Sequence, residues 1–360
     1  MIKCINNMNK LFVHLVTWNG EKYIPHLFES LKKQTFKDWQ LVILDNGSTD
    51  KTVEKIKGEL IAGRLETNRS VVDVVLKERK ENSGFAGGHN TLYKENESEY
   101  FLLLNQDMYL DQGCLEKMVE FLDKHEDVAA VSPRLMRWDF EENNFTNKID
   151  SLGLKVFRNR RVIEKYTGKE WDEKKSKLEL SFRTDYDAME VLGVSGAFPM
   201  FRRTAIETVE FSDGTFFDSL YNSYKEDIDL AYRLRIAGHK AFVLLDTVAY
   251  HDRSAEGLEK KRDKVAIENK KKQSEWIKYH SYKNHLMTIY KNEYFQNWCL
   301  DAVFIKWYEM KKFFYFLLFD RSVLKGLGEI WKNRKELKLK KMKVKSMRKV
   351  SWKEMRKWWK

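Results

Sequence analysis

The stretch that decides the fold is Tyr100-Phe101-Leu102-Leu103-Leu104-Asn105-Gln106-Asp107, a short apolar run that ends in two amides and a carboxylate. Its apolar residues are too few for an ordinary helix and show no helical period, so they predict a strand buried on both faces of a parallel sheet. Asp107 then lies at the carboxyl end of this strand, where open α/β sheets bind their ligands. A carboxylate there can hold Mg²⁺ or Mn²⁺, which prefer oxygen ligands, or it can simply cap the next segment.

Similar patterns precede this stretch. Residues 11–20 form a β-type run that ends in turn residues, residues 23–34 have helical periodicity, and residues 41–44 form a second buried strand. A helix that starts near Thr49 and a third strand over residues 71–76 follow. Strands that alternate with helices predict a parallel sheet with right-handed crossovers, and therefore an α/β domain of the nucleotide-binding type.

A glycine-rich loop, Asn82-Ser83-Gly84-Phe85-Ala86-Gly87-Gly88-His89-Asn90, follows the third predicted strand. Its glycines let the backbone approach a ligand closely, and the N-terminus of the helix that follows favours anionic groups. The loop is equally consistent with a tight turn. Its spacing matches neither the phosphate loop that ends in Lys-Ser/Thr nor the dinucleotide fingerprint, so we exclude both.

The second half of the chain begins with an irregular, polar segment over residues 136–190, which we interpret as an insertion over the site. An apolar strand with small residues at its loop is expected over residues 191–203. A strand over residues 241–245 then brings His251 just past its end.

Three carboxylates, Glu226, Asp227 and Asp229, open a helix that Gly238 ends. The helix dipole favours one or two acidic residues at this end, but it explains three less well. Because they follow an aromatic cluster that would shield them from water, they are candidates for chemistry.

The charge of the chain is concentrated at its end. The net charge is +12, and residues 321–360 contain 16 Lys and Arg against 3 Asp and Glu. The rest of the chain is therefore close to neutral. A neutral body with a basic end indicates a segment that meets an anionic surface, either a membrane or a nucleic acid.

The three cysteines are far apart, which predicts neither a zinc site nor disulfides and favours a reducing compartment. The first ten residues lack the apolar core of a signal peptide. The most apolar candidate for a membrane span, residues 298–319, is interrupted by charged residues. We therefore expect a cytoplasmic protein without a membrane-spanning helix.

Taken in order, these stretches resemble a family 2 glycosyltransferase, in particular the rhamnosyltransferase-like branch. The resemblance covers residues 11–251. Each motif alone is weak evidence for the family, but six motifs in the expected order are strong evidence. They are Val16-Thr17-Trp18-Asn19, Asp45-Asn46-Gly47-Ser48, the loop 82–90, Leu103-Leu104-Asn105-Gln106-Asp107, Ser195-Gly196-Ala197 and Glu226-Asp227-Ile228-Asp229-Leu230, with His251 after them. The resemblance implies a GT-A fold over residues 1–255, a Rossmann-like, mostly parallel sheet flanked by helices, with a helical C-terminal extension over residues 256–360.

The resemblance also implies a donor site and a metal site. Thr17, Trp18 and Asp45 would hold the base and ribose of a nucleotide sugar. Asp107 and His251 would hold Mg²⁺ or Mn²⁺, which bridges the diphosphate. Further donor contacts are implied for Asn19, Asn46, Gly84, Gly87, Asn90 and Asn105.

In such enzymes the sugar is transferred with inversion in a single displacement. Asp227 is implied as the base that takes the proton of the acceptor hydroxyl, and Glu226 shares the catalytic site. Adjacent carboxylates can exchange this role. The acceptor side would comprise Gly196, Ala197 and Asp229.

Two positions depart from the family pattern. The metal motif has Asn105 in place of Asp and Gln106 where proline is frequent. Asp107 is then the only carboxylate ligand in the motif, so metal binding should be weaker than in family members with two. Asn46 occupies the second position after the second strand, where the family often has an acidic residue. How the nucleobase of the donor is recognised is therefore left open.

The basic tail combines its cations with tryptophans and aliphatic residues, which is typical of a helix in a membrane interface. A helix that packs back on the domain is the alternative, and nucleic-acid binding is not expected because no recognition fold accompanies the charge. We expect peripheral association with the inner face of the cell membrane and a saccharide or polyprenyl-diphosphate-linked acceptor.

Two other functions remain open from the sequence: a nucleotidyltransferase of similar fold, and a non-catalytic saccharide- or nucleic-acid-binding protein. For a glycosyltransferase of cell-surface polysaccharides, dTDP-rhamnose is the first donor to consider, followed by other dTDP- or UDP-sugars.

Overall fold

The computed structural model describes residues 9–62, 74–173, 187–252 and 273–359. Within these residues the strands are β1 (Asn9–Thr17), β2 (Trp39–Asp45), β3 (Val75–Glu78), β4 (Ser98–Asn105), β5 (Met108–Leu110), β6 (Val128–Asp139), β7 (Asn144–Ser151), β8 (Leu154–Val156), β9 (Val162–Glu164), β10 (Ala188–Val191), β11 (Met200–Arg202) and β12 (Lys240–His251). The helices are α1 (Ile24–Lys32), α2 (Thr52–Ala62), α3 (Gly84–Glu95), α4 (Cys114–Lys124), α5 (Arg203–Glu207), α6 (Glu226–Ile236), α7 (Glu275–Asn292), α8 (Phe295–Phe319), α9 (Lys325–Lys332), α10 (Arg334–Ser346) and α11 (Trp352–Arg356). A 3₁₀ helix (Arg321–Leu324) connects α8 and α9.

A mixed sheet with the strand order β10-β12-β6-β11-β4-β1-β2-β3 forms the centre of the molecule. The strands β3, β2, β1 and β4 are parallel, as the alternation of strands and helices predicts. The strand β11 is antiparallel to both of its neighbours, and β6 and β12 are again parallel to each other. The short strand β5 pairs with β12, and β7 pairs with β6.

The register brings the polar ends of three strands to one edge of the sheet. Thr17 at the end of β1 pairs with Asp45 at the end of β2, and Val16 pairs with Asn105 at the end of β4. The side chains of residues 100–104 are fully buried, because helices cover both faces of the sheet. The apolar run that decides the fold is therefore a central strand, as predicted.

Three predicted segments differ in detail from the structure. The third strand was expected over residues 71–76, but β3 begins at Val75, and residues 71–73 lie outside the described part of the chain. The apolar stretch 191–203 forms two separate strands, because Gly193 to Pro199 turn through the cleft between them. The strand before His251 is longer than expected, so His251 is its last residue.

The segment 136–190 contributes in part to the central sheet. β6 continues to Asp139, and β7 pairs with it in antiparallel orientation. The hairpin of β8 and β9 forms a separate two-stranded sheet. The structure does not describe residues 174–186 of this segment.

The C-terminal part of the described chain is helical, as predicted, and its last helices pack on the α/β domain. Leu337 and Val344 of α10 and Met355 of α11 are buried, and Trp359 forms a β-bridge with Val156 of the β8–β9 hairpin. Among the described residues, no helix is long and apolar enough to span a membrane.

Candidate active site

A large cleft of about 1660 Å³ opens at the carboxyl ends of β1 and β4. Its walls include the start of α6, the β8–β9 hairpin and the helices α7 and α8. The predicted site residues that line this cleft are Thr17, Trp18, Asn46, Gly84, Asn105, Asp107, Gly196, Ala197, Glu226, Asp227 and His251.

The ends of β1 and β2 are held together by the carboxylate of Asp45. Its Oδ1 accepts hydrogen bonds from the hydroxyls of Thr17 (3.0 Å) and Ser48 (2.6 Å), and its Oδ2 accepts the Ser48 N–H (2.9 Å). Asp45 is buried and does not line the cleft, whereas Thr17 beside it does. In the structure, Asp45 therefore shapes the turn between β2 and α2 beside the cleft, and it does not face the cleft itself.

Trp18 is the exposed aromatic side chain at this edge, with 54% of its surface accessible. Its backbone N–H donates to Gln106 Oε1, and Gln106 Nε2 donates to its carbonyl oxygen, both at 3.0 Å. Gln106 also packs on Gly20, where a Cβ would lie 2.2 Å from the Gln106 amide. The residue that departs from the family pattern thus fixes the position of Trp18, a role that the sequence did not reveal.

Asn46 connects the end of β2 to the glycine-rich loop. Its Nδ2 donates to Asn82 Oδ1 and to the Gly84 carbonyl oxygen, both at 3.0 Å, and its Oδ1 accepts the Ser83 N–H at 3.0 Å. This arrangement needs a side chain that donates and accepts, so an amide fits here better than a carboxylate. Gly84 has φ +76°, and a Cβ there would lie 2.3 Å from the Asn222 carbonyl oxygen.

Three other predicted donor residues support the cleft from outside its lining. Asn19 receives the Thr49 N–H (2.8 Å) and has a positive φ of 48°. Both amide atoms of Asn90 bind the backbone of Phe217, at 2.9 and 3.0 Å. A Cβ at Gly87 would lie 3.0 Å from Ser83 Cβ. These contacts stabilise the loops around the donor site.

Asp107 and His251 meet at the junction of β5 and β12. His251 Nε2 lies 3.4 Å from Asp107 Oδ1, and His251 Nδ1 lies 2.9 Å from Asp150 Oδ2. Burial favours the neutral imidazole, but the carboxylates of Asp107 and Asp150 raise the pKa of His251 to about 10. The sequence analysis did not include Asp150, which lies on β7 within the polar segment and carries no motif of its own.

This pair suits a divalent cation. When His251 is neutral and donates its Nδ1–H to Asp150, Nε2 beside Asp107 is available as a metal ligand, which is the usual arrangement around a metal-binding histidine. The described residues contain no cluster of three or more His, Cys, Asp or Glu side chains with metal-site geometry. A cation at this pair therefore needs further oxygen ligands, which a diphosphate supplies.

The opposite side of the cleft carries Asp227 in the first turn of α6. Its Oδ2 accepts the Gly196 N–H at 3.2 Å, and its Oδ1 accepts the Ile228 N–H at 2.8 Å. A Cβ at Gly196 would lie 3.2 Å from Asp227 Cβ. The glycine of Ser195-Gly196-Ala197 thus allows the close approach that orients this carboxylate.

Glu226 is buried beside Asp227, and its Oε2 has no hydrogen-bond partner among the described residues. Burial, followed by the negative charge of Asp227, raises the pKa of Glu226 to about 8. Glu226 is therefore largely protonated near neutral pH.

Asp229 lies away from the cleft. Its carboxylate is fully buried and binds Arg233 Nε (3.0 Å), Asn292 Nδ2 (2.7 Å) and the Lys291 ammonium (2.9 Å). The side chain points into the core because it lies two residues beyond Asp227, on another face of the helix. The structure thus places Asp229 beneath α6 and not at the predicted acceptor side.

The central sheet is mostly parallel and is flanked by helices. One cleft at its edge contains Asp107 and His251, which can bind a metal, and Asp227, which lies in the first turn of α6. This combination is typical of the GT-A class of glycosyltransferases. Residues 12–209 match the profile of Glycosyl transferase family 2, which covers more than half of the chain. The chain belongs to this family and is a glycosyltransferase.

Among relatives of known name, the chain is 31% identical over 121 residues to the poly(ribitol-phosphate) beta-N-acetylglucosaminyltransferase TarS of Staphylococcus aureus strain Mu50. This match covers 33% of the chain and 20% of TarS. It is 27% identical over 177 residues to the teichoic acid poly(glycerol phosphate) polymerase of Staphylococcus epidermidis, with 49% of the chain and 22% of that protein covered. The matched segments thus span about a fifth of each relative's length.

Solved structures share the fold. The crystal structure of GalNAc-T7 with UDP, GalNAc and Mn²⁺ aligns with a TM-score of 0.56 at 12% identity, over 79% of this chain and 48% of that one. The mannosyltransferase PcManGT from Pyrobaculum calidifontis, in complex with GDP-Man and Mn²⁺, aligns with a TM-score of 0.51 at 14% identity, over 94% and 86%.

Proposed function

We propose that this protein transfers a sugar from a nucleoside diphosphate sugar to a hydroxyl group of a cell-surface polymer, with inversion at the anomeric carbon. The observation that carries the proposal is that Asp227 lines the same cleft as Asp107 and His251, with its Oδ2 held by the Gly196 N–H. The two relatives named above act in teichoic acid synthesis, which supports a cell-surface polymer as the acceptor.

The donor would lie across the ends of β1, β2 and β4. Trp18 offers an exposed ring for stacking on the base, and Gln106 holds its backbone in place. Asp107 and His251 would hold Mg²⁺ or Mn²⁺. Such a cation, when bound, supplies positive charge that neutralises the departing diphosphate.

The acceptor would enter on the side of the cleft that Asp227 lines. Its hydroxyl oxygen attacks the anomeric carbon, the bond from that carbon to the diphosphate breaks, and the hydroxyl proton passes to Asp227. The nucleoside diphosphate leaves on the opposite face. Protonated Glu226 can donate a hydrogen bond to the acceptor from its unpartnered oxygen.

We propose a UDP-sugar as the donor, because the relative with 31% identity is named for transfer of N-acetylglucosamine. The rhamnosyltransferase branch that the motifs resemble would use dTDP-rhamnose instead. Both donors place a pyrimidine against Trp18, so the base must be identified by measurement.

Isothermal calorimetry with UDP, dTDP, GDP and CDP, each with and without Mn²⁺, tests the proposal. We expect tightest binding of UDP, dependent on Mn²⁺ and lost in Asp107→Ala, because Asp107 is the carboxylate of the metal pair. Asp111→Ala is the matched control, since this exposed carboxylate follows β5 but does not line the cleft. Preference for dTDP would favour the rhamnose branch, and absence of binding to all four would contradict the proposal.

We also propose that the protein binds an anionic membrane surface, through α8 rather than through the basic tail. In the tail, Leu337, Val344, Met347 and Met355 are buried in the domain, and Trp331, Leu339 and Met342 are exposed. The helix α8 exposes more apolar surface at helical spacing, for example at Leu300, Val303 and Trp307. Exposed Lys306 and Lys311 lie on the same helix. This combination supports an interfacial position with anionic lipid headgroups around the lysines.

A further inference from the structure

Two cationic side chains, Arg161 and Lys225, line the cleft close to Asp227. Neither forms an ion pair or a side-chain hydrogen bond within the described residues. Two other lysines of the same cleft are neutralised, because Lys278 pairs with Asp320 (3.2 Å) and Lys312 with Glu309 (3.4 Å). Arg161 and Lys225 therefore differ from these two lysines, because neither has an ion-pair partner within salt-bridge distance among the described residues.

The backbone presents Arg161 to the cleft from a rigid turn between β8 and β9. Arg160, with a φ of 65°, turns its guanidinium into the core, where it binds Glu293 and Asp301 (3.0 Å). The Arg161 carbonyl oxygen accepts the Phe157 N–H at 2.9 Å. The buried ion pairs of one arginine thus fix the loop that carries the other.

The backbone at the start of α6 also fixes the position of Lys225. It has a left-handed φ of 73°, and Tyr224 before it has a φ of 69°. Asn284 of α7 stabilises this strained loop by donating to the carbonyl oxygens of Ser223 (2.9 Å) and Tyr224 (2.8 Å). Lys225 is therefore fixed directly before Glu226 and Asp227 in the chain.

The two cations are close enough to affect each other. Burial lowers the pKa of Lys225, the neighbouring carboxylates Asp227, Glu164 and Glu226 oppose this, and the charge of Arg161 adds to the lowering. Glu226 is neutral near pH 7, while Glu164 and Asp227 offset part of the positive charge and accept hydrogen bonds from Ser195 Oγ (3.1 Å) and the Gly196 N–H (3.2 Å). Both cations line the same half-buried cleft, so an anion bound there would be attracted by both charges.

We propose that Arg161 and Lys225 form an anion subsite that binds a phosphate group of the acceptor. The subsite lies on the Asp227 side of the cleft, since Lys225 precedes the catalytic helix and the β8–β9 hairpin contacts Ser195 next to Gly196. The diphosphate of the donor belongs with Asp107 and His251 instead. A guanidinium and an ammonium together match the geometry and charge of a phosphodiester.

This inference rests on the proposed function and narrows its acceptor to a phosphate-containing polymer. It also assigns a role to the β8–β9 hairpin, because the hairpin places Arg161 where the acceptor chain would pass. A neutral saccharide would leave Arg161 and Lys225 without an ion-pair partner in the cleft.

Calorimetry on the full chain, saturated with UDP and Mn²⁺, tests the subsite. The probe is a ribitol phosphate oligomer, and free ribitol is the matched ligand without charge. We expect Arg161→Gln and Lys225→Gln each to weaken binding of the oligomer about tenfold, because each removes a charge-assisted contact. The salt dependence of oligomer binding should fall in both variants.

UDP and Mn²⁺ should bind both variants as they bind the wild type, and Arg161→Lys should recover part of the oligomer affinity. Lys338→Gln, which removes an exposed charge on α10 outside the cleft, should change neither affinity. An equal loss of UDP affinity would assign the cations to the donor diphosphate and overturn the subsite. Unchanged oligomer affinity in the two variants, or equal affinity of the wild type for ribitol and the oligomer, would also overturn it. Failure of the wild type to bind UDP would contradict the proposed function itself.

Discussion

Glu226 and Asp227 are adjacent in the sequence, yet their side chains have different surroundings. Glu226 is buried with an unpartnered oxygen, and its pKa is raised to about 8 by burial and by Asp227. Asp227 is less buried and accepts two backbone N–H groups. In the proposed mechanism, this pair divides the work between Glu226 as a neutral hydrogen-bond donor and Asp227 as the base.

This division predicts the pH dependence of activity. Glu226 loses its proton as the pH rises through about 8, so wild-type turnover should fall on the alkaline side. Glu226→Gln cannot ionise, so it should keep most of the turnover at pH 7 and lose this alkaline decline. Initial rates across the pH range measure both effects.

The thermal stability of Glu226→Gln gives a second test of the raised pKa of Glu226. Because the pKa of Glu226 is raised above its ordinary 4.5, the glutamate supports the folded state most at low pH and loses this contribution as the pH rises toward 8. Thermal unfolding should therefore favour Glu226→Gln over the wild type increasingly across this range. Abolished turnover in Glu226→Gln at pH 7 would instead identify Glu226 as the base.

At single positions, sequence reasoning predicted which residues lie close together where they end a recognisable strand or open a recognisable helix. Thr17, Asp107 and Asp227 line one cleft, as the strand ends and the helix start predict. Asp150 was missed because it approaches His251 across 101 positions of sequence, through a pairing of β7 with β6 that no local pattern encodes. Gln106 and Asn46 were read as departures, while their structural roles depend on partners elsewhere in the chain.

At the scale of elements, the apolar runs predicted the central strands but not the direction of every strand. A run buried on both faces looks the same in a parallel and an antiparallel pair, so the orientation of β11 and the pairing of β7 depend on connections that periodicity does not reveal. The fold of the parallel half follows from the sequence, because short βα units permit one handedness.

The basic tail illustrates a second limit of prediction from sequence patterns. An amphipathic helix shows the same pattern whether its apolar face meets lipid or protein. In the structure, Leu337 and Val344 of α10 are buried, and the ammonium of Lys340 binds Asp218 at 2.6 Å. Packing on the domain, the alternative to membrane binding, therefore applies to these residues.

The helix α8 is the element on which the proposed membrane binding depends. Val303 is 79% exposed and Leu300 is 55% exposed, and neither lines the cleft. We expect the double substitution Leu300→Ser and Val303→Ser to reduce flotation with vesicles that contain anionic lipid, because it removes exposed apolar surface without touching the site.

Turnover with a water-soluble acceptor should remain unchanged in this variant. Leu339→Ser is the control, because it removes exposed apolar surface on α10 outside the cleft. Equal flotation of the variant and the wild type would rule out the α8 face as the membrane contact, and no flotation of either protein would contradict the membrane proposal.

At the scale of the whole molecule, the C-terminal helices and the catalytic helix share one buried network of charges. Asp218 binds Lys291 of α7 and Lys340 of α10, and Lys291 also binds Asp229 of α6 at 2.9 Å. Removing one member leaves a buried charge without a partner, which is strongly destabilising. The extension therefore supports the geometry of α6, and the basic residues of the chain are not confined to a detached tail.

The account depends most on Asp227 as the base. Its central test is the rate of UDP release from the donor in the presence of acceptor, measured for the wild type, Asp227→Asn and the control Asp111→Asn. We predict that Asp227→Asn lowers this rate about a thousandfold, while calorimetry finds its affinity for UDP and Mn²⁺ unchanged. Transfer by Asp227→Asn at a rate close to that of the wild type would contradict the account.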